Sequence, residues 1–445
     1  MTITGIFASL VLFFLLFKYW KNFNDLVLDP FFWICVSYIQ YFGFADISKF
    51  PALVTDFANL IGFIVFYFFY SFSKRKIKVK FIYKISTAVW PIKILSNNRY
   101  SVFPLSRGAI IFFSIVFFSW ATLDLYTNAV AYGSLDAALV RFYVGRPINE
   151  IPISTIRILN TLFTASVGII LVFRLNGVAN KNLLCRQLFW IMIIIFEIVM
   201  IPKGTVGYVI YPLFIILIAD AVLIKKKVLS GFPYTLYIII FPIVLMIGVS
   251  LLTIRGGVYD RPQEAIEALD IGNWGKFKES SDQSHSIVFE YTEKVINMYG
   301  NQKDYLLFYT PYSILVNPIP REIWPDKPYG FGKILAMDAG ATEESGVSFA
   351  AGIAGEGFAN GGWVGVVFLA GLVGALCGFF AKFAFTLFQS PSIILLLIAF
   401  QAWLAAQYFV RGDMLSAWGQ SVYPLIFSLA TLWFISKTMR LLVRR

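Results

Sequence analysis

Residues 317–330 read NPIPREIWPDKPYG, where Pro318, Pro320, Pro325 and Pro328 alternate with Arg321, Asp326 and Lys327. Proline locks φ and removes a backbone donor, so the stretch cannot continue as helix or sheet and is held on an extended, low-entropy path. A rigid segment that presents a guanidinium and an ammonium, with Trp324 as an anchor, suits the binding of a phosphate or diphosphate. The same composition also fits a surface staple with solvated charges. Further cations punctuate the ends of apolar runs: Arg255 in TIRGG, Arg411 in FVRGD, Arg141 and Arg146 in RFYVGRP, and Arg261 shortly after Arg255. Each alone fits an interface residue. Together they point to an anion held at one membrane face, with a lipid diphosphate as the candidate.

The elements that must position these residues are apolar. Of 445 residues, 58% are hydrophobic, 18% aromatic and only 14% charged, and the mean hydropathy is +0.74. Soluble domains carry about 25% charge. A helix needs roughly 20 apolar residues to cross a hydrocarbon core. Windows that qualify are 3–20, 31–48, 52–72, 108–126, 155–173, 184–201, 206–224, 232–254, 362–384, 391–410 and 420–437. The expected fold is therefore an all-α polytopic membrane protein with about eleven transmembrane helices. Lys18 and Lys21 follow the first apolar run instead of preceding it, so that run reads as an uncleaved helix.

Basic residues orient the spans. With the N-terminus periplasmic and the C-terminus cytoplasmic, the inner segments hold 22 Lys and Arg and the short outer loops six, with nine more in the long loop 255–361. Long loops are exempt from the positive-inside rule. The net charge of +12 is thus mostly topological, and no nucleic-acid partner is expected. The expected organisation is 1–254, with spans 1–8, a basic cytoplasmic loop 74–107 and a periplasmic loop 127–154. A large periplasmic loop, 255–361, follows, and 362–445 carries spans 9–11. Gly361, Gly365, Gly374 and Gly378 give the small-xxx-small spacing of close helix packing near the ninth span.

Within the large loop, Asp260 can cap a short helix. A second helix is expected from about Asp282 to Tyr299, with Ile287, Tyr291, Val295 and Tyr299 on one face and Gly300 closing it. The apolar stretch 304–317 is too brief to span and reads as a buried or re-entrant piece. The three cysteines offer no disulfide framework, and His285 is the only histidine. Neither a metal nor a cofactor is expected.

The Pro-Arg-x-x-Trp-Pro-x-Lys-Pro segment, followed some thirty residues on by GEGFANGG with Glu356 and Asn360, resembles the Wzy-type polymerases. These are bacterial oligosaccharide repeat-unit polymerases for O-antigen, enterobacterial common antigen and related polysaccharides. About 25 residues carry the specific likeness; the rest is hydropathy and loop layout. The resemblance implies an inverting, metal-independent membrane glycosyltransferase of the bacterial inner membrane, with its active site facing the periplasm. Its donor would be a glycan on undecaprenyl diphosphate and its acceptor a sugar hydroxyl of another lipid-linked repeat unit. The bilayer and a chain-length-determining co-polymerase are the other partners it implies.

The chemistry is consistent with that resemblance. Breaking a sugar–diphosphate bond needs charge stabilisation on the leaving group and an acceptor for the attacking hydroxyl's proton. Catalytic roles are expected for Arg255, Arg321, Lys327, Glu356 and His285. Diphosphate or substrate contacts are expected for Arg141, Arg146, Arg261, Arg411, Asn360 and Trp324. The base stays open between His285, Glu356, Asp260, Asp326 and none. Two rival readings are an O-antigen ligase, with a loop histidine in its favour, and a lipid-linked oligosaccharide flippase or other transporter.

Overall fold

The computed structural model describes residues 2–19, 23–42, 50–78, 82, 105–139, 153–200, 206–230, 288–319, 323–342, 348–388, 398–400, 402–403, 414–423 and 425–426. Among the described residues there is no strand, only an isolated bridge between Tyr299 and Lys303. The helices are α1 (Ile3–Lys18), α2 (Phe23–Val27), α3 (Pro30–Phe42), α4 (Phe50–Lys76), α5 (Arg107–Tyr132), α6 (Leu135–Leu139), α7 (Ile153–Ala179), α8 (Leu183–Met200) and α9 (Val206–Lys225). After these come α10 (residues 288–298), α11 (Tyr309–Val316), α12 (Phe331–Asp338), α13 (Gly352–Leu387) and α14 (Met414–Ala417), which runs into a π-helical turn over Trp418–Val422. Among the described residues four helices, Ala52–Lys76, Arg107–Tyr132, Leu183–Met200 and Gly352–Leu387, are long and apolar enough to cross a membrane. The chain is an α-helical membrane protein. The windows 232–254, 391–410 and 420–437 lie wholly or largely outside the described residues.

Two segments expected as loop are helical. α5 runs on to Tyr132 and α6 follows it, inside the expected loop 127–154. More consequential, α13 starts at Gly352, ten residues before the expected ninth span, and is broken at Gly361 and Gly362. The reason is packing: with so many glycines and alanines over 351–365, neighbouring backbone approaches closely, and tertiary contact overrides poor helix propensity.

The chain divides into two compact units. The first comprises Met1–Ile94, Ser284–Phe388 and Ile398–Arg445. In it, Asp56 of α4 is buried and accepts from the Ile3 and Thr4 N–H groups at 2.6 and 3.1 Å, satisfying donors that a helix start leaves open. The Thr2 hydroxyl donates to the Phe42 carbonyl at 2.6 Å. At the opposite end of these helices, Asp29 accepts from Tyr70 and from Lys74, the latter at 2.5 Å. α1, α3 and α4 therefore alternate in direction. α4 and α13 run parallel: a Cβ at Gly374 would clash with the Phe66 carbonyl, and one at Gly378, four residues on, with that of Tyr70. Lys74, Arg75 and Lys76 close α4.

The second unit comprises Leu95–Gln283 and Gln389–Leu397. α5, α7 and α8 meet through Trp120, Phe163 and Phe196, whose ring centroids lie 5.7–6.0 Å apart. Arg174 of α7 forks onto the fully buried Asp220 of α9 at 3.1 and 3.2 Å.

Candidate functional site

Thr310, in the first turn of α11, anchors a buried polar cluster in the first unit. Its N–H donates to the Asn360 side-chain oxygen Oδ1 at 3.0 Å, and its hydroxyl donates to Glu356 Oε1 at 2.8 Å. The Asn360 amide returns a bond to the Thr310 hydroxyl at 2.8 Å and another to the Glu356 carbonyl at 2.7 Å. Glu356 Oε2 accepts the Met414 N–H at 2.9 Å. Glu356 is 1% exposed and Thr310 fully buried. Such a network at low dielectric is favourable only when its members are satisfied, and here each bond closes on another.

The other end of α11 is held by the proline-rich segment. Lys327, 4% exposed, donates from its ammonium to the carbonyls of Asn317 at 3.0 Å and Ile319 at 2.8 Å. Its N–H donates to the Trp324 carbonyl at 3.2 Å. Trp324 is half-buried and Asp326 exposed. The Tyr309 hydroxyl donates to the Tyr329 carbonyl at 2.9 Å, and the Tyr423 hydroxyl to the Ile314 carbonyl at 2.5 Å. Lys327 thus ties the proline-rich segment back to the end of α11 and keeps its positive charge there.

The head of α13 turns back on itself. A Cβ on Gly357 would lie 2.7 Å from Val366 Cα, although the two residues are nine apart in sequence. In a continuous helix that separation would be about 13 Å. Gly362 makes the reversal with φ of 60° and ψ of −144°. α10 packs on this turn: Val295 and Tyr299 meet Ala351 and Ala359, and Ile296 meets Ala354, Phe358 and Val366. The Thr292 hydroxyl donates to the Ala351 carbonyl at 2.7 Å. Burial pushes the Tyr299 phenol well above its ordinary value, and the Asp338 carboxylate beside it adds to the shift. An open apolar groove of about 320 Å³, lined by Leu53, Val54, Phe57, Ile61 and Trp363, runs beside the start of the second half of α13.

Of the residues singled out from sequence, Lys327, Glu356, Asn360 and Trp324 fall within this one assembly. Arg141, Arg146, Arg255, Arg261, His285, Arg321 and Arg411 lie outside the described residues. Both carboxylate oxygens of Glu356 accept from the protein, which is the arrangement of a positioning residue and not of a base open to substrate. Lys327 likewise spends two of its donors on loop carbonyls, so it orders the loop instead of reaching out as a phosphate ligand. Thr310 and Tyr423 were not singled out. The signal for Thr310 is a pair of small aliphatic hydroxyls, Thr310 and Ser313, inside the apolar stretch 304–317. Among the described residues, no three His, Cys, Asp or Glu side chains gather as a metal cage would. No family model, no curated protein and no solved structure matches this chain.

Proposed function

We propose that the chain is a polytopic inner-membrane glycosyltransferase of the repeat-unit polymerase type. It would carry about eleven spans, with the N-terminus periplasmic and the C-terminus cytoplasmic, and act at the periplasmic face on undecaprenyl-diphosphate-linked glycans. The observation that carries this reading is a convergence. The two short segments with the family resemblance grip the two ends of one eight-residue helix: Glu356 and Asn360 hold the start of α11, and Lys327 holds its end.

In this reading Arg321 stabilises the diphosphate leaving group, and Arg255, Arg141, Arg146, Arg261 and Arg411 are further candidates for that role. The apolar groove beside Trp363 offers a path for a polyprenyl tail. The parallel course of α4 and α13 supports two spans crossing in the same sense. Lys74, Arg75 and Lys76 at the end of one and Lys382 near the end of the other suit a cytoplasmic end.

The test is deletion of the gene in its native host, with the surface polysaccharide resolved on a silver-stained gel. Loss of the ladder with a single repeat unit retained on its lipid supports polymerisation, and Arg321→Ala should reproduce that pattern. Polymer accumulating on undecaprenyl diphosphate would identify a ligase instead. A normal ladder would defeat both readings for that polysaccharide.

A further inference from the structure

α11 is inside out. Its hydroxyl residues Thr310 and Ser313 are 0% and 1% exposed, while Leu315 is 78% exposed. Leu307, Phe308 and Ile323, on either side of the helix, are 70%, 65% and 75% exposed. In water a short helix segregates the other way, with polar groups outward. Large apolar side chains turned outward beside buried hydroxyls are the polarity of a segment solvated by hydrocarbon.

The backbone points the same way. Helix ends carry N–H and C=O groups with no intrahelical partner, and at a solvent-facing end water satisfies them. Around α11 the protein supplies those partners. The Leu306 N–H donates to the Ala359 carbonyl at 2.8 Å and the Thr310 N–H to Asn360. The Ile314 carbonyl accepts from Tyr423, and the Asn317 and Ile319 carbonyls from Lys327. Irregular backbone at membrane depth is tolerated only where its polar groups are satisfied internally.

At Phe308 the exposed apolar side chains adjoin a membrane span. Phe308 meets Phe368 of α13 edge to face, with centroids 5.7 Å apart, and Val364, one turn before Phe368, is 79% exposed. From Trp363 to Leu387 the second half of α13 is about 37 Å long at 1.5 Å per residue, enough to span the hydrocarbon core. Phe368 lies about 8 Å along it from Trp363.

We propose that residues 305–319 form a membrane-embedded re-entrant element, with Phe308 and Leu315, and Ile323 beyond it, against lipid acyl chains and Asn360, Tyr423 and Lys327 as its internal caps. The element places the Lys327-clasped loop next to the bilayer. The proposal requires only that α13 crosses a membrane, and it stands or falls apart from the glycosyl-transfer chemistry.

The test is collisional accessibility of nitroxide labels on the full chain in phosphatidylcholine–phosphatidylglycerol vesicles. Labels go on Leu315→Cys and Ile323→Cys, with Val364→Cys as the lipid reference and Asn301→Cys, in an exposed polar turn, as the water reference. The described cysteines, Cys35, Cys185 and Cys377, are buried, and labelling of the parental chain gives the background. The expected result is that both test sites follow Val364→Cys, with oxygen accessibility at least threefold over that of a soluble nickel chelate relative to Asn301→Cys. Nickel-dominated accessibility would put the row in water. Low accessibility to both reagents would mean that protein covers it. Either result overturns the proposal. Leu315 is so exposed that the substitution leaves packing intact, and agreement of Leu315→Cys with Ile323→Cys guards against a local fault.

Discussion

Asn360 and Thr310 exchange two hydrogen bonds, Thr310 N–H to Asn360 Oδ1 at 3.0 Å and Asn360 Nδ2 to Thr310 Oγ1 at 2.8 Å. That exchange joins α11 to the reversed head of α13 and frees the Thr310 hydroxyl proton for Glu356. Replacing Thr310 by valine keeps the shape and deletes the hydroxyl, so Glu356 Oε1 loses a donor and Asn360 Nδ2 keeps only the Glu356 carbonyl. A buried hydrogen bond broken from one side costs about 1–3 kcal/mol. Thr310→Val should therefore lower stability in detergent by about 1–3 kcal/mol, while Thr310→Ser should lose less than about 1 kcal/mol. Thermal unfolding of the purified variants measures both, and equal losses would mean that the hydroxyl network is not what holds the helix.

Lys327→Met removes the ammonium that the Asn317 and Ile319 carbonyls share. It should cost about 1–3 kcal/mol and loosen the loop that carries Arg321. Asp326 is an exposed neighbour on the same segment, so Asp326→Asn should be near neutral. Under the proposed function, polymer yield should fall with Lys327→Met and hold with Asp326→Asn. Lys327→Arg would be informative too, because a planar fork cannot reproduce the ammonium's reach to two carbonyls of one turn.

The pairing of these segments was half legible in the sequence. Residue types marked the two motifs, and proline and glycine marked where chain direction must change. Gly300 closes α10 with φ of 82°, as a helix stop should. What periodicity could not show is that GIAGEGFAN folds as helix, because its glycines read locally as loop and only the close approach of α4 and α10 makes helix the better state. Nor could polarity alone show that Glu356 and Lys327 turn inward. A carboxylate and an ammonium in a polar loop look available, and their burial depends on Thr310, Met414 and two carbonyls that carry no sequence signature. Four of the apolar windows fall on helices long and apolar enough to cross a membrane among the described residues, because hydrocarbon burial is local to a helix.

The glycines of α13 are not equivalent. Gly374 and Gly378 face the Phe66 and Tyr70 carbonyls too closely to admit a Cβ, whereas nothing lies within 4 Å of a Cβ at Gly361. Gly361 has φ of 175°, extended backbone open to any residue. Gly374→Ala and Gly378→Ala should each force α4 and α13 apart and cut the yield of folded protein, with a loss of about 1–3 kcal/mol. Gly361→Ala should be tolerated. Gly362→Ala should not, since φ of +60° strains any L side chain and its Cβ would meet the Tyr305 hydroxyl at 3.0 Å. Size-exclusion profiles of the four variants decide it, and a loss at Gly361 matching that at Gly374 would refute the distinction.

Lys226 follows the end of α9 and is 3% exposed. Burial pushes its ammonium down from 10.5 to about 8. The folded state therefore binds its proton less tightly than the unfolded state. Below about pH 8 the lysine is charged in both states and the burial penalty is fully present. Between about 8 and 10.5 the folded chain has released the proton and the unfolded chain has not, so this group's contribution to stability rises with pH. Lys226→Met should stabilise the chain at pH 7 by at most roughly 3 kcal/mol and remove that rise. Unfolding temperatures of the two proteins at pH 7 and pH 9.5 measure the effect. Parallel shifts with pH in both would show that Lys226 is not the titrating group.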